Sequence, residues 1–218
     1  MKIATWNLQR LERGNQQYFI GTLNELQADV LVLTETNASV ELNDHTSIST
    51  DSLPPGYDGI SYRPGECRVS VLTKYKVLLR HMTFDPFTAV CVEVESPFGP
   101  ILIYGGIVGV FGNRQPRFNS DLDGQLDDFE KLFPGKLVCY AGDLNVTFSG
   151  KAWPSTSARQ KLNNAFAKYN LVNVTGNCEN SVDHIVVSEK IYQAKKIEVN
   201  KWEDKKRSDH MGVSATFL

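Results

Sequence analysis

Little in this chain departs from ordinary globular material, and each scarcity excludes something. Its 218 residues hold only four cysteines, Cys67, Cys91, Cys139 and Cys178, none near another in sequence. That spacing rules out a paired-cysteine zinc site and a dense disulfide framework. Cys91 and Cys139 fall inside apolar runs, where a free thiol behaves as a small hydrophobe, so a reduced, cytoplasmic protein is expected. No apolar run approaches the length of a membrane span and no leader precedes the first strand-like segment, so neither a membrane nor a secretory route is expected. Net charge is scarce as well: -2 at pH 7. A uniformly basic nucleic-acid binder is thereby excluded, but a local basic rim around an acidic centre is not. Linkers, internal repeats and low-complexity tracts are absent. With 41% hydrophobic residues, residues 1–218 are expected to form a single domain around a sizeable core, as a monomer.

What is present is a long series of strand-like runs. They cover residues 2–6, 30–34, 68–73, 88–95, 101–105, 137–141, 171–174, 182–187, 194–199 and 212–217. Thr88 to Glu95 alternates in its second half, as a strand with one wet face does, and Ser96-Pro97-Phe98-Gly99-Pro100 reads as the turn of a hairpin. Three helical patterns are interspersed. Phe19, Ile20, Leu23 and Leu26 share one face, and so do Leu122, Leu126, Phe129 and Phe133, ahead of a stop at Pro134-Gly135. Leu162, Phe166 and Tyr169 mark the third, which has a serine available as N-cap. Many strands with few helices predict an α/β sandwich of two packed sheets with helices outside. Residues 36–66, rich in Ser, Asp, Pro and Gly, read as a long ordered loop or an elaborated edge.

The chemistry lies where polar groups abut apolar runs. Asn7 closes the first run and Glu35 the second. Gly142-Asp143-Leu144-Asn145 follows the run at 137–141. Asp183 opens another, and Ser208-Asp209-His210 precedes the last. Placing carboxylates, an amide and an imidazole against buried strands costs several kcal/mol, roughly, unless a partner or a metal compensates. The first four side chains follow strand ends, whereas Asp183, Asp209 and His210 precede strand starts, so antiparallel pairing can gather all of them at one rim. Taken singly, most have plain structural readings: a solvated carboxylate for Glu35, a cap or turn for Asn7, an Asx turn for Asp143 and Asn145. Together they read as a metal-assisted phosphate-ester site, since a hard divalent ion prefers oxygen ligands. A carboxylate such as Asp183 near His210 fixes its tautomer and favours imidazolium. His184 follows Asp183 in a strand and faces the other way, so it is read as structural. His45 and His81 are read as surface residues.

In order, Thr5-Trp6-Asn7, Leu33-Thr34-Glu35-Thr36, Tyr104-Gly105-Gly106, Gly142-Asp143-Leu144-Asn145, Val182-Asp183-His184-Ile185 and Ser208-Asp209-His210 resemble the motifs of the endonuclease/exonuclease/phosphatase superfamily, which includes pancreatic deoxyribonuclease and exonuclease III. The resemblance runs from Asn7 to His210. It implies a four-layered α/β sandwich, two packed mixed β-sheets flanked by helices as in DNase I, and a Mg2+- or Mn2+-dependent phosphoesterase. Carried over by motif, Glu35 is the principal metal ligand, with Asn7 and Asp209 beside it as ligands or water-mediated contacts. Asp143 aligns or deprotonates the attacking water, Asn145 binds the scissile phosphate, and His210, oriented by Asp183, stabilises charge on the phosphoryl oxygens.

The chain departs from the family pattern in places. Thr34 stands where DNA-repair members carry Gln before the Glu. The third motif offers no Tyr or His in the best register, so the group protonating the leaving oxygen is unassigned; Arg114 is a candidate for stabilising its charge. Val146-Thr147-Phe148 after the Gly-Asp-Leu-Asn motif matches neither abasic-site nucleases nor inositol-polyphosphate phosphatases. Arg63, Arg68, Arg114, Arg117, Lys151 and Arg159 read either as a basic rim or as scattered surface charges, and Trp153 is placed either to stack on a base or to pack at the start of the third helix. These readings favour an intracellular nuclease, endo- or exo-acting, on a nucleic acid. A phosphatase or phosphodiesterase of a small phosphoester, and a non-catalytic binding relative, are the alternatives.

Overall fold

The structure is a computed structural model that describes residues 1–109, 116–194 and 196–218. In chain order the first half comprises β1 (Lys2–Asn7), α1 (Gln16–Glu25), β2 (Val30–Asn37), β3 (Thr46–Ser49), β4 (Glu66–Thr73), β5 (Val77–His81), β6 (Ala89–Ser96) and β7 (Gly99–Ile107). The second half comprises α2 (Arg117–Leu132), β8 (Leu137–Asp143), α3 (Thr156–Lys168), β9 (Leu171–Asn173), β10 (Asp183–Ser188), α4 (Glu189–Ala194), β11 (Ile197–Glu203) and β12 (Met211–Phe217). The strands form two six-stranded sheets, ordered β11-β12-β1-β2-β4-β3 and β5-β6-β7-β8-β10-β9. Each sheet contains one parallel pair, β1 with β2 and β7 with β8, and the remaining pairings are antiparallel. A parallel pair needs a crossover, and α1 and α2 supply the two.

Alternation along the strands divides the core. Val30 and Val32 of β2 face the second sheet, packing with Ile3, Val69, Val71, Val92, Ile103 and Ile185. Leu31 and Leu33 face outward against Phe19 and Leu23 of α1 and the buried Trp6. On the far side Leu122 and Phe129 of α2 and Leu162 and Phe166 of α3 cover Leu102, Tyr104, Tyr140 and Val186. Helix, sheet, sheet, helices: this is the four-layered sandwich, and each fully buried aliphatic or aromatic side chain contributes about 1.5–3 kcal/mol. The hairpin at 96–99 is present between β6 and β7, and Ser155 caps α3 by accepting from the Ala158 N–H at 3.1 Å.

The stretch 36–66 contains β3, the edge of the first sheet, in keeping with an elaborated edge. Two elements differ from the sequence reading. β5 edges the second sheet with Leu78 and Leu79 exposed, so it carries no buried pattern to read. The run at 194–199 is split, because Glu189–Ala194 is helical and β11 begins only at Ile197. His45 also departs from a surface role: its side chain is 4% exposed, with Nδ1 2.6 Å from Asp44 and Nε2 3.1 Å from the Ala28 carbonyl.

Candidate active site

The topology brings the polar strand ends together. β1 and β2 run parallel, so Asn7 and Glu35 emerge at the same edge of the first sheet. In the second sheet antiparallel pairing sets Asp183, which opens β10, directly opposite Asp143, which closes β8. Asp209 and His210 enter from the segment ahead of β12, which is antiparallel to β1. Glu35, Asp143, Asn145, Asp209 and His210 line one cleft of about 220 Å³, with Gln9, Arg10, Tyr62 and Arg68 among its other walls.

Backbone geometry aims these groups. Gly142 has φ 138°, and a Cβ there would lie 2.0 Å from the Gly106 carbonyl oxygen of β7. Only glycine allows β8 to approach β7 so closely just before Asp143. Glu35 and Asn145 are themselves left-handed, at φ 45° and 49°. Such outliers cost of order 1–3 kcal/mol each and persist where surrounding contacts overdetermine them.

Asp143 is the hub. Its Oδ2 accepts from Asn7 Nδ2 at 3.0 Å and from Asn145 Nδ2 at 3.3 Å, and its Oδ1 accepts from the Asn145 backbone N–H at 3.0 Å. Asn145 Nδ2 also donates to the Val108 carbonyl at 2.9 Å. Both amide hydrogens therefore have partners, and the longer bond to Asp143 is the one that a phosphate oxygen can replace. Asn7 Oδ1 in turn accepts from the Gln9 N–H at 2.8 Å. His210 Nδ1 is 2.7 Å from Asp183 Oδ2, while Nε2 points between Asp143 Oδ2 at 3.9 Å and Asp209 Oδ1 at 4.0 Å. Ser208, which the sequence reading assigned no role, pins the segment: its hydroxyl donates to the Asn7 carbonyl at 2.7 Å and accepts from the His210 N–H at 3.1 Å. Its adjacency to Asp209-His210 was the available signal.

Charge at the rim is organised. Burial opposes protonation of His210, but the carboxylates of Asp183 and Asp143 overcome it and lift the imidazole to about 10. Burial likewise raises Asp143 and Asp183 above the usual carboxylate range, with His210 pulling each back down. Asp143, Asp183 and His210 place ligand-type atoms within 4.8 Å of one another. An imidazolium there balances carboxylate charge internally, and a protonated ring cannot ligate a metal. Glu35 is different. Among the described residues it has no cation within ion-pair distance. Burial raises its pKa, Asp143 and Asp209 push it further, and Asn7 and His210 offset only part. A carboxylate crowded by two others is an acid-rich set of oxygens that suits a hard divalent cation.

The remaining sequence candidates divide. Tyr104 of the third motif is fully buried and donates to Asp128 at 2.8 Å, outside the cleft. His184 lies on the opposite face, with Nε2 3.0 Å from both the Val146 and Ser181 carbonyls. The basic-rim candidates divide. Arg68 is 3% exposed in the cleft wall, with Nη2 paired to Asp58 at 2.6 Å and with Nε and Nη1 unpartnered among the described residues; Arg117 pairs with Asp85 and Asp121; Arg159 donates to the Thr147 carbonyl. Arg63 pairs with Glu66 at 2.6 Å. Trp153 is 49% exposed in the loop after Asn145, its backbone tied to Thr147 and its ring outside the cleft walls. Arg114 lies outside the described residues.

A family model described as the endonuclease/exonuclease/phosphatase family matches residues 4–210. The chain belongs to that family. Membership makes it a relative of phosphoesterases, and the match spans every site residue from Asn7 to His210. Among solved structures, the endonuclease domain of TRAS1, a telomere-specific non-LTR retrotransposon, is similar at TM-score 0.72 and 14% identity, covering 99% of this chain and 97% of that one. A family protein from Leptotrichia buccalis C-1013-b matches at TM-score 0.72 and 14% identity over 100% and 99%. A humanized D. rerio TDP2 with 14 mutations matches at TM-score 0.67 and 16% identity over 100% and 98%. At such identities these likenesses establish the shared fold. No curated protein matches the chain.

Proposed function

We propose that this member of the family is a Mg2+- or Mn2+-dependent hydrolase of phosphodiester bonds, acting as an intracellular nuclease. The observation that carries the reading is the convergence of Glu35, Asp143, Asn145, Asp209 and His210 on one cleft, with His210 held by Asp183. Glu35, Asn7 and Asp209 are the residues that would hold the cation. When bound, a divalent ion supplies positive charge that polarises the P–O bond. Asp143, fixed by Asn7 and by the Asn145 backbone, orients a water and takes its proton as the new P–O bond forms and the P–O bond to the leaving group breaks, the leaving oxygen taking its proton from solvent water. His210 donates from Nε2 to a phosphoryl oxygen, its Nδ1 anchored on Asp183, and Asn145 turns an amide hydrogen to the same phosphate. The TRAS1 domain is titled an endonuclease, which supports nucleic acid as substrate. Free cysteines, three of them buried, suit a reducing compartment.

A second reading, hydrolysis of a small phosphoester, is favoured by one observation: Arg63, Arg117 and Arg159 are engaged within the protein rather than free to track a phosphate backbone. Incubation with Mg2+ or Mn2+ against supercoiled plasmid, single-stranded oligonucleotides and a bis-phenyl phosphodiester separates the two, with Glu35→Ala as control. Nicking that disappears in the variant supports the nuclease. Turnover of the bis-phenyl phosphodiester alone replaces it with hydrolysis of a small phosphoester, and activity that survives Glu35→Ala rejects the metal assignment.

A further inference from the structure

The turn that follows β1 has an uncommon backbone. Gln9, Arg10 and Leu11 have φ of 47°, 56° and 57°, three consecutive left-handed residues with no glycine among them. L residues resist that region because Cβ crowds the following carbonyl, and successive occurrences are rare. Something must hold the turn, and the Arg10 side chain does. Its Nε and Nη2 donate to Glu66 Oε2 at 3.0 and 2.9 Å, Nη2 also donates to the Ser61 carbonyl at 2.7 Å, and Nη1 is 3.1 Å from Glu12. Glu66 is 2% exposed, so this carboxylate is committed to its partners. Its other oxygen accepts from Arg63 Nε at 2.6 Å, and Arg63 Nη2 returns to the Arg10 carbonyl.

The turn has a definite output. The Gln9 N–H donates to Asn7 Oδ1 at 2.8 Å, and Gln9 Oε1 accepts from the Asp209 N–H at 3.2 Å. One residue thus braces the Asn7 side chain and the Asp209 backbone, two of the residues assigned to the cation, from two ends of the chain. We propose that Arg10 and Glu66 are positioning residues: their ion pair, buried on the Glu66 side, clasps residues 9–11 in the left-handed turn so that Gln9 holds Asn7 and Asp209 in place for the divalent ion. The proposal rests on the metal-dependent reading above.

Arg10→Ala and Arg10→Gly together provide the test. Both delete the clasp, but glycine enters the left-handed region without a clash, so the turn survives in one variant and not in the other. Isothermal titration with Mn2+ should show the dissociation constant of Arg10→Ala raised about tenfold or more, as for lost outer-sphere partners. Arg10→Gly should recover most of that loss. In the metal-free protein, the Asn7 side-chain amide resonance should move in Arg10→Ala and stay near its wild-type position in Arg10→Gly. If Arg10→Ala does not fold, Glu66→Gln, which keeps an acceptor beneath Arg10, carries the same comparison. A pair that merely ties the loop at 61–66 to the turn would lower the melting temperature of both Arg10 variants equally and leave Mn2+ affinity unmoved; that result overturns the clasp. Wild-type protein that binds no Mn2+ overturns the metal reading and this proposal with it.

Discussion

Two histidines of this chain meet opposite surroundings, and their charges diverge accordingly. His210 is held between carboxylates, with Asp183 at 2.7 Å. Replacing Asp183 with Asn keeps the shape but removes the charge that fixes the ring's tautomer and orientation. We expect kcat on a bis-phenyl phosphodiester to fall by about a hundredfold or more, with KM changed little, because the lost interaction belongs to the transition state. His184 faces carbonyls instead, and burial drives its pKa down from 6.5 to about 4. Its folded-state value is the lower one, so the unfolded chain takes up the proton first as pH falls. Stability is therefore complete above 6.5 and is lost between 6.5 and about 4, by about 3 kcal/mol in full. Urea unfolding at pH 7 and pH 5 should show a steeper loss in the wild type than in His184→Gln. That His184 faces away from Asp183 was legible, since neighbours in a strand alternate. His45 was not legible, because its burial comes from the Ala28 carbonyl, distant in sequence.

At the scale of elements, the approach of β8 to β7 decides where Asp143 points. Gly142→Ala would place a Cβ against the Gly106 carbonyl at an impossible 2.0 Å. The strands would have to separate, at a cost of about 3 kcal/mol or more, and Asp143 would move with them. Thermal unfolding should show the lost stability, and activity should fall beyond what the folded fraction explains. The Gly-Asp-Leu-Asn motif announced this turn from the sequence, but not that its glycine is required by a neighbouring strand. The elements that escaped reading share a cause. β3 and β5 are sheet edges with little buried surface, and edge strands need no apolar alternation. The central strands β1, β2, β7 and β8 are covered by other layers on both faces and announced themselves as near-continuous apolar runs.

Across the whole molecule, the rim where both sheets end stores electrostatic cost. Glu35 is raised by burial and by Asp143 and Asp209, so the rim carries repulsion that a cation, if bound there, would relieve. Two consequences follow for a thermal melt. Saturating Mn2+ should stabilise the wild type, by about 2.7 kcal/mol at a hundred times the dissociation constant. Glu35→Gln should melt higher than wild type without metal and gain little when metal is added. A wild-type melting temperature indifferent to Mn2+ would remove the cation from the site.

The amino-acid sequence alone determined the strand ends and the chemistry attached to them: Asn7, Glu35, Asp143, Asp183 and His210 are set against apolar runs, and burial of those runs forces the polar groups to a rim. Local pattern suffices for that, because hydrophobic periodicity is written residue by residue. Tertiary structure alone decided which charges are free. Arg117 looked available in one dimension and is paired with Asp85 in three, and Arg10 meets Glu66 only because the β1 turn and the start of β4 fold side by side. Ion pairs between residues far apart in the chain follow from packing, which no local pattern encodes.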